Sequence, residues 1–439
     1  MKLVLPKIIA AVFVATALGA CSSKQDTSDV SGSVQVLAPM NDSNGGYSLQ
    51  FVNLLDLNNL REVSGRFVRF FMSPRIISDH LNGPAPQGRF IKNVDGKYVP
   101  ANDLSQQLVT VYAHMQKLAQ LDDELGAAGV NHWPRDIGVA VKVVGGMTNN
   151  AFYDGKTDAM LFVPYTNANL PIAANGGILA HEHFHSLFYK IVIKNQGLTG
   201  EASIHDRKQF LKALNVEEDN TDNHRVRVVT DDVPNPQSPQ VEESKVKSYY
   251  MTTFVRGLNE GLADFWGWMY SGDPDFIASS LPSEKLNRSL KVESNITLTV
   301  AAMEQVRSAA SLYTQYDKVR FGNYLVGLSY NIGTRYSRLL KRFTDIAAES
   351  RGVDSLSMRK EVAKWIIKTL PVFREDFTKT SATGYYAPAK FLENMASVIS
   401  DMSEKECNFF ADSINSTDAD FKRICIKDGS YWKLMEGKE

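Results

Sequence analysis

The sequence predicts an α+β fold: a first half rich in β-strands that carries one central helix, then an all-helical second half. Three observations predict it. Short segments of alternating apolar and polar residues, separated by Gly, Asn and Pro, fill Ser33 to about Val94. From Ser248 onward the apolar residues recur at helical spacing. Between the two lies GGILAHEHFHSLFYKIVIK, which holds His181, His183 and His185, three of the chain's eight histidines.

The chain is 439 residues long, room for two ordinary domains or one large one with lobes. Hydrophobic residues at 44% and charged residues at 22% describe a folding globular chain. A formal charge of −1 leaves no basic footprint for nucleic acid. The start, MKLVLPKIIAAVFVATALGACSS, has the basic opening, apolar run and small-residue end of a secretory signal over residues 1–20. Its Leu18-Gly19-Ala20-Cys21 resembles the bacterial lipobox, which implies acylation of Cys21 and a stable membrane anchor. Ordinary cleavage after the same small residues would leave Cys21 incidental. Ser22 in the next position resembles the outer-membrane sorting pattern. Residues 21–32 then read as a flexible tether. In an exported chain, the remaining pair, Cys407 and Cys425, reads as a disulfide. Closing such a loop stabilises by about 3 kcal/mol.

Taken in order, SVQVLAP, YSLQFVNL, GRFVRFFM and GRFIKNV are predicted strands. A helix follows over NDLSQQLVTVYAHMQKLAQLDDELGA, capped at Asn102 or Asp103. IGVAVKVVGG is a predicted strand, and GGMTNNAFYDGKTDAMLFVPY a strand pair. The histidine helix, approached through Asn175-Gly176-Gly177, completes a β-rich lobe over 33–200. Residues 201–247 read as an acidic insertion or mobile loop, because NVEEDNTDNHRVRVVTDDVPNPQSPQVEESK within them is charged, bears prolines and is almost without large apolar residues. The lobe over 248–439 is predicted helical: YMTTFVRGLNEGLADFWGWMY, ITLTVAAMEQVRSAASLY, NYLVGLSYNIGTRYSRLLKRFTDIAAE, MRKEVAKWIIKTLP and PAKFLENMASVISDM.

On an α-helix, residues four apart stand on one face and the residue midway points away. His181 and His185 can therefore hold one metal ion together, and His183 cannot join them. With Glu182 the motif is H-E-x-x-H: two imidazoles on one zinc ion, and a carboxylate placed to take a proton from water. Catalytic zinc needs a third protein ligand. The alternative, a surface helix with polar residues at helical spacing, suits the apolar flanks poorly.

Downstream, GLNEGLADFWGW carries Asn259-Glu260 and Asp264. Together with H-E-x-x-H this resembles the thermolysin-like zinc metallopeptidases, the gluzincins. The resemblance implies a zinc site in the cleft between the lobes, with Glu260 as third ligand, Asp264 hydrogen-bonding His181, and Asn259 supporting His185. NNAFYDG, from Asn149 to Gly155, resembles the family's edge-strand segment; it implies that Asn150 and Ala151 pair with a peptide substrate. NRSLKV resembles an element that makes Arg288 a ligand for a substrate carbonyl. The family stabilises the oxyanion with a tyrosine ahead of the N-E motif and a histidine on a later helix. Tyr250 stands near the first position; no histidine follows His224, so Tyr324 is the expected substitute, with Tyr330 and Tyr336 expected to face the core. The gap of 75 residues from His185 to Glu260 (260 − 185) departs from thermolysin, and the acidic insertion accounts for it.

The expected activity is that of a zinc-dependent endopeptidase on peptide or protein substrates. It would be exported and lipid-anchored at the cell envelope, at the outer membrane by the sorting pattern. Two rivals remain at this point: an exopeptidase, and a non-catalytic surface lipoprotein that keeps zinc for binding or assembly.

Overall fold

Hydrogen bonding takes hold at Val30, whose carbonyl accepts from the Leu60 amide at 2.8 Å. The computed structural model describes residues 30–41, 45–143, 146–194, 242–292, 301–313, 318–383, 385–417 and 422–437. The signal segment, Cys21, most of the tether and nearly all of the acidic insertion lie outside the described residues. Residues 30–32, expected in the tether, belong to the fold.

The first lobe is built on two sheets. β1 (Gly32–Asn41) and β2 (Tyr47–Asn59) are antiparallel, with Leu37 opposite Phe51 and Pro39 opposite Leu49. Short strands β3 (Ser64–Gly65), β7 (Phe90–Lys92) and β8 (Tyr98–Pro100) complete a five-stranded sheet of order β3-β2-β1-β8-β7. The second sheet contains β4 (Val68–Met72), β9 (Arg135–Val139), β10 (Ala151–Asp154) and β11 (Ala159–Phe162), in the order β10-β11-β9-β4. A small hairpin, β5 (Arg75–Ile77) and β6 (His80–Asn82), lies apart from both sheets. The expected strand after Ile137 is cut short: Ala140 adopts φ 51°, a left-handed conformation that ends the ladder.

Helix α1 (Asp103–Leu125) starts at Asn102, whose side chain accepts from the Ser105 amide, and stops at Gly126 with φ 81°. Its apolar face covers β1. Helix α2 (Gly176–Phe188) carries the histidines; Asn175 caps it by accepting from the Ile178 amide. It runs on into a π-helical turn, Tyr189–Ile193.

The second lobe opens with α3 (Glu243–Ser271), five residues ahead of the expected boundary at Ser248. Short helices α4 (Phe276–Ser280) and α5 (Lys285–Arg288) follow, then α6 (Ala301–Tyr313), α7 (Lys318–Arg351) and α8 (Ser355–Thr383). The sequence pattern ended the last of these at Pro371, but the helix continues through it. Burial of Ile366, Leu370, Phe373 and Phe377 on both sides of the proline outweighs the one hydrogen bond it removes. α9 (Pro388–Ser397) and α10 (Glu404–Asn415) complete the helices, α10 with a reciprocal cap between Ser403 and Glu406.

The lobe is not all-helical. β12 (Arg423–Asp428) and β13 (Tyr431–Glu436) form an antiparallel hairpin that turns at Gly429, φ 62°. The disulfide Cys407–Cys425, with Cα atoms 5.8 Å apart, fastens it to α10. The fold is thus α+β, with a sheet-bearing first part and a mainly helical second part.

Candidate metal centre

α2 packs against α3, and α3 against α7. The second crossing is close because glycines face each other. A Cβ on Gly333 would sit 2.6 Å from the Gly257 carbonyl oxygen and 3.2 Å from Glu260 Cβ. With no side chains between them, the backbones meet and bring α7 residues up to Glu260.

His181 and His185 share one face of α2 and are 6% and 3% exposed. His185 Nδ1 lies 3.2 Å from Asn259 Oδ1, and His181 Nδ1 lies 3.0 Å from Asp264 Oδ1. Both partners are acceptors, so each Nδ1 carries the hydrogen and each Nε2 presents a lone pair. The two Nε2 atoms are 3.0 Å apart, and Glu260 Oε2 is 3.7 Å from His181 Nε2 and 4.0 Å from His185 Nε2. Three acceptors converging on one point can hold a cation between them. Bonds of about 2.0–2.1 Å in a tetrahedral zinc site would place neighbouring ligand atoms about 3.4 Å apart. The three edges bracket that spacing.

Electrostatics favour the same arrangement at His185, Glu260 and Asp264, whereas at His181 a metal ion competes with a proton. Burial, and then the neighbouring His181, hold His185 down at about 3, so it stays a neutral donor. Burial opposes charge on His181, but the Asp264 carboxylate outweighs it and the net shift is upward. Glu260 and Asp264 are held below the usual carboxylate range: burial works against them, and the surrounding histidines and arginines overcome it. Arg288 donates to Asp264 through Nε at 3.1 Å and Nη2 at 2.5 Å, and its Nη2 is 3.5 Å from Glu260 Oε2. Arg256, 2% exposed, stands 3.7 Å from the other oxygen of Glu260.

Glu182 lies in the same cluster: one atom each from His181, Glu182 and His185 fall within 4.8 Å of one another. Burial is the main cause that lifts its carboxyl to about 7. Its Oε2 is buried without a hydrogen-bond partner among the described residues, as suits a group kept for a proton. The buried group can hold a metal ion. His183 points away, as the helical period requires. Its Nε2 is 2.8 Å from Asp122 Oδ1 on α1, and its ring stacks on Trp133.

Asn150 and Ala151 open β10, the edge strand of the four-stranded sheet. The Ala151 amide donates to the Asn150 side chain at 2.9 Å, and the Tyr153 backbone on the same strand hydrogen-bonds Glu182. The edge strand and the metal centre are therefore neighbours.

The tyrosines fall differently from expectation. Tyr250 is ten residues, about 15 Å of helix, ahead of Glu260; its hydroxyl donates to the Tyr386 carbonyl at 3.0 Å inside an aromatic cluster. Tyr324 is 37% exposed on α7. Six residues on, about a third of a turn off that face, Tyr330 is the tyrosine at the centre. Arg256 Nη2 donates to its hydroxyl at 3.4 Å, and the guanidiniums of Arg288 and Arg256 lie 5.0 and 5.4 Å from its ring centroid. The nearby Glu260 charge, then burial, raises its hydroxyl, which stays protonated. Tyr336 does face the core, with its hydroxyl on the Pro388 carbonyl. Spacing carried signals for both missed residues: Arg256 is four residues before Glu260, and Tyr330 three before Gly333, so each shares a face with a residue at the crossing. Compared with known proteins, the chain matches no family model and no curated sequence.

Proposed function

We propose that this chain is a zinc-dependent peptidase of the thermolysin-like type, exported and lipid-anchored at the cell envelope through Cys21. The observation that carries the reading is the convergence of His181 Nε2, His185 Nε2 and Glu260 Oε2, with both Nδ1 atoms tied back by Asp264 and Asn259. These three residues would hold the ion. Bound there, zinc would supply Lewis acidity toward water and a peptide carbonyl.

The remaining work belongs to the protein's own groups. Glu182, buried and unpartnered at Oε2, takes a proton from the attacking water and delivers it to the leaving amine. β10 offers a sheet edge along which an extended peptide can lie beside Glu182. Arg288, held by Asp264, and the protonated Tyr330 are the donors nearest to the centre for a substrate carbonyl and its developing negative charge.

Metal removal tests the reading. The purified chain should contain one zinc per molecule and cleave an unstructured protein such as casein. A chelator should abolish cleavage, and added zinc restore it. A metal-free preparation with unchanged cleavage would overturn the proposal.

A further inference from the structure

The five-stranded sheet has a second face on which no described helix or sheet packs. On the inner side Val34, Val36, Ala38 and Met40 are buried, and α1 packs there. On the outer side the register sets Phe51 opposite Leu37, Leu49 opposite Pro39, and Ile91 opposite Val99. β8 lies next to β1 with the inward Tyr98 opposite the inward Val36, so Val99 and Leu37 point outward together. Six apolar side chains thus run across β2, β1, β8 and β7 in spatial order. Leu49 is 59% exposed, Phe51 40% and Ile91 54%. A solvent-facing sheet surface is ordinarily polar, and a contiguous apolar one marks a contact with protein or membrane.

We propose that this face lies on a lipid surface, as a second contact beside the acyl chains on Cys21; the inference rests on the lipid-anchored reading above. Reach and charge select this occupant. Val30 is tied to Leu60, and only nine residues (30 − 21) separate it from Cys21. Fully extended they span at most about 32 Å, so the sheet that begins at Gly32 is the part of the fold held nearest to the anchor. Val94, 95% exposed, stands at the tip between β7 and β8 with Lys92 and Lys97 on either side. The Lys97 ammonium lies 4.9 Å over the Phe51 ring, so a cation stands on this face, and a lysine stem can lie along apolar surface while its charge reaches the headgroups. Lys92 lies over the inward Tyr98 ring, and Arg89 and Lys97 against Asp95 leave the outer side of this edge positive, which suits anionic headgroups. Among the described residues no helix is long and apolar enough to cross a membrane, so the contact is an interfacial one.

The test uses the full, acylated chain reconstituted into phosphatidylethanolamine–phosphatidylglycerol vesicles with brominated acyl chains. Single Leu49→Cys, Ile91→Cys and Val353→Cys variants carry an environment-sensitive fluorophore. Val353, 43% exposed outside the sheet, is the control. The probes at 49 and 91 should be quenched roughly threefold relative to the control. Adding Leu49→Glu with Phe51→Glu should relieve quenching at 91 while the chain still floats with the vesicles. A floating chain whose sheet probes match the control overturns the docking and leaves the anchor standing. So does cross-linking of two copies through position 49, which would make the face a protein interface. A chain that does not float overturns the anchor and the docking together.

Discussion

Glu260 stands between two sets of neighbours: two imidazoles that can share a cation with it, and two arginines that already supply positive charge. Arg288 resolves the competition by bonding mainly to Asp264, which in turn orients His181. Much of this centre was legible from the residues. The four-residue spacing of His181 and His185 requires a shared face, and the same geometry excludes His183. The structure brings Glu260 and Asp264 beside His181, and Asn259 beside His185. Tyr330 was not legible, because helical periodicity says which residues share a face without saying which face meets the site. A phenol donor should matter to the transition state alone: Tyr330→Phe should lower kcat about tenfold or more with zinc content unchanged. Tyr324→Phe should stay within about twofold of wild type. The reverse ranking in steady-state kinetics would return the donor role to Tyr324.

At the scale of elements, the centre depends on how closely α7 approaches α3. That distance is set by Gly257, Gly261 and Gly333, which a hydrophobic pattern does not reveal, since glycine carries no apolar signal. Gly333→Ala puts a methyl group against backbone rather than a flexible side chain. It should cost about 1–3 kcal/mol of stability and shift Tyr330 away from Glu260, so kcat should fall further than the loss of folded protein explains. Urea titration beside kinetics at full folding checks both halves; wild-type values for each would show that the crossing tolerates a side chain. Other elements were misread for plain reasons. Pro371 looked like a stop because local propensity favours one, whereas the buried residues around it decide otherwise. The hairpin of β12 and β13 was lost in a lobe read for helical spacing, although Asp428-Gly429 between alternating residues is a turn signal.

For the molecule as a whole, the division into a sheet-bearing first part and a mainly helical second part was legible because periods of two and of 3.6 residues differ so plainly. Long-range pairing was not: the order of the strands, and the apolar outer face of the first sheet, emerge only when β1, β2, β7 and β8 are assembled. The buried group that can hold a metal ion lies where α2 packs against α3. We propose that this junction performs hydrolysis and does more than bind a metal. Glu182 separates the two, because a carboxylate that only needed to be tolerated in a buried site would have a partner for Oε2. The direct measurement is peptide cleavage by Glu182→Gln at verified folding and zinc content. The variant should hold one zinc per chain, as in wild type, with a kcat lower by about two to four orders of magnitude. Near wild-type cleavage by that variant would contradict the proposal.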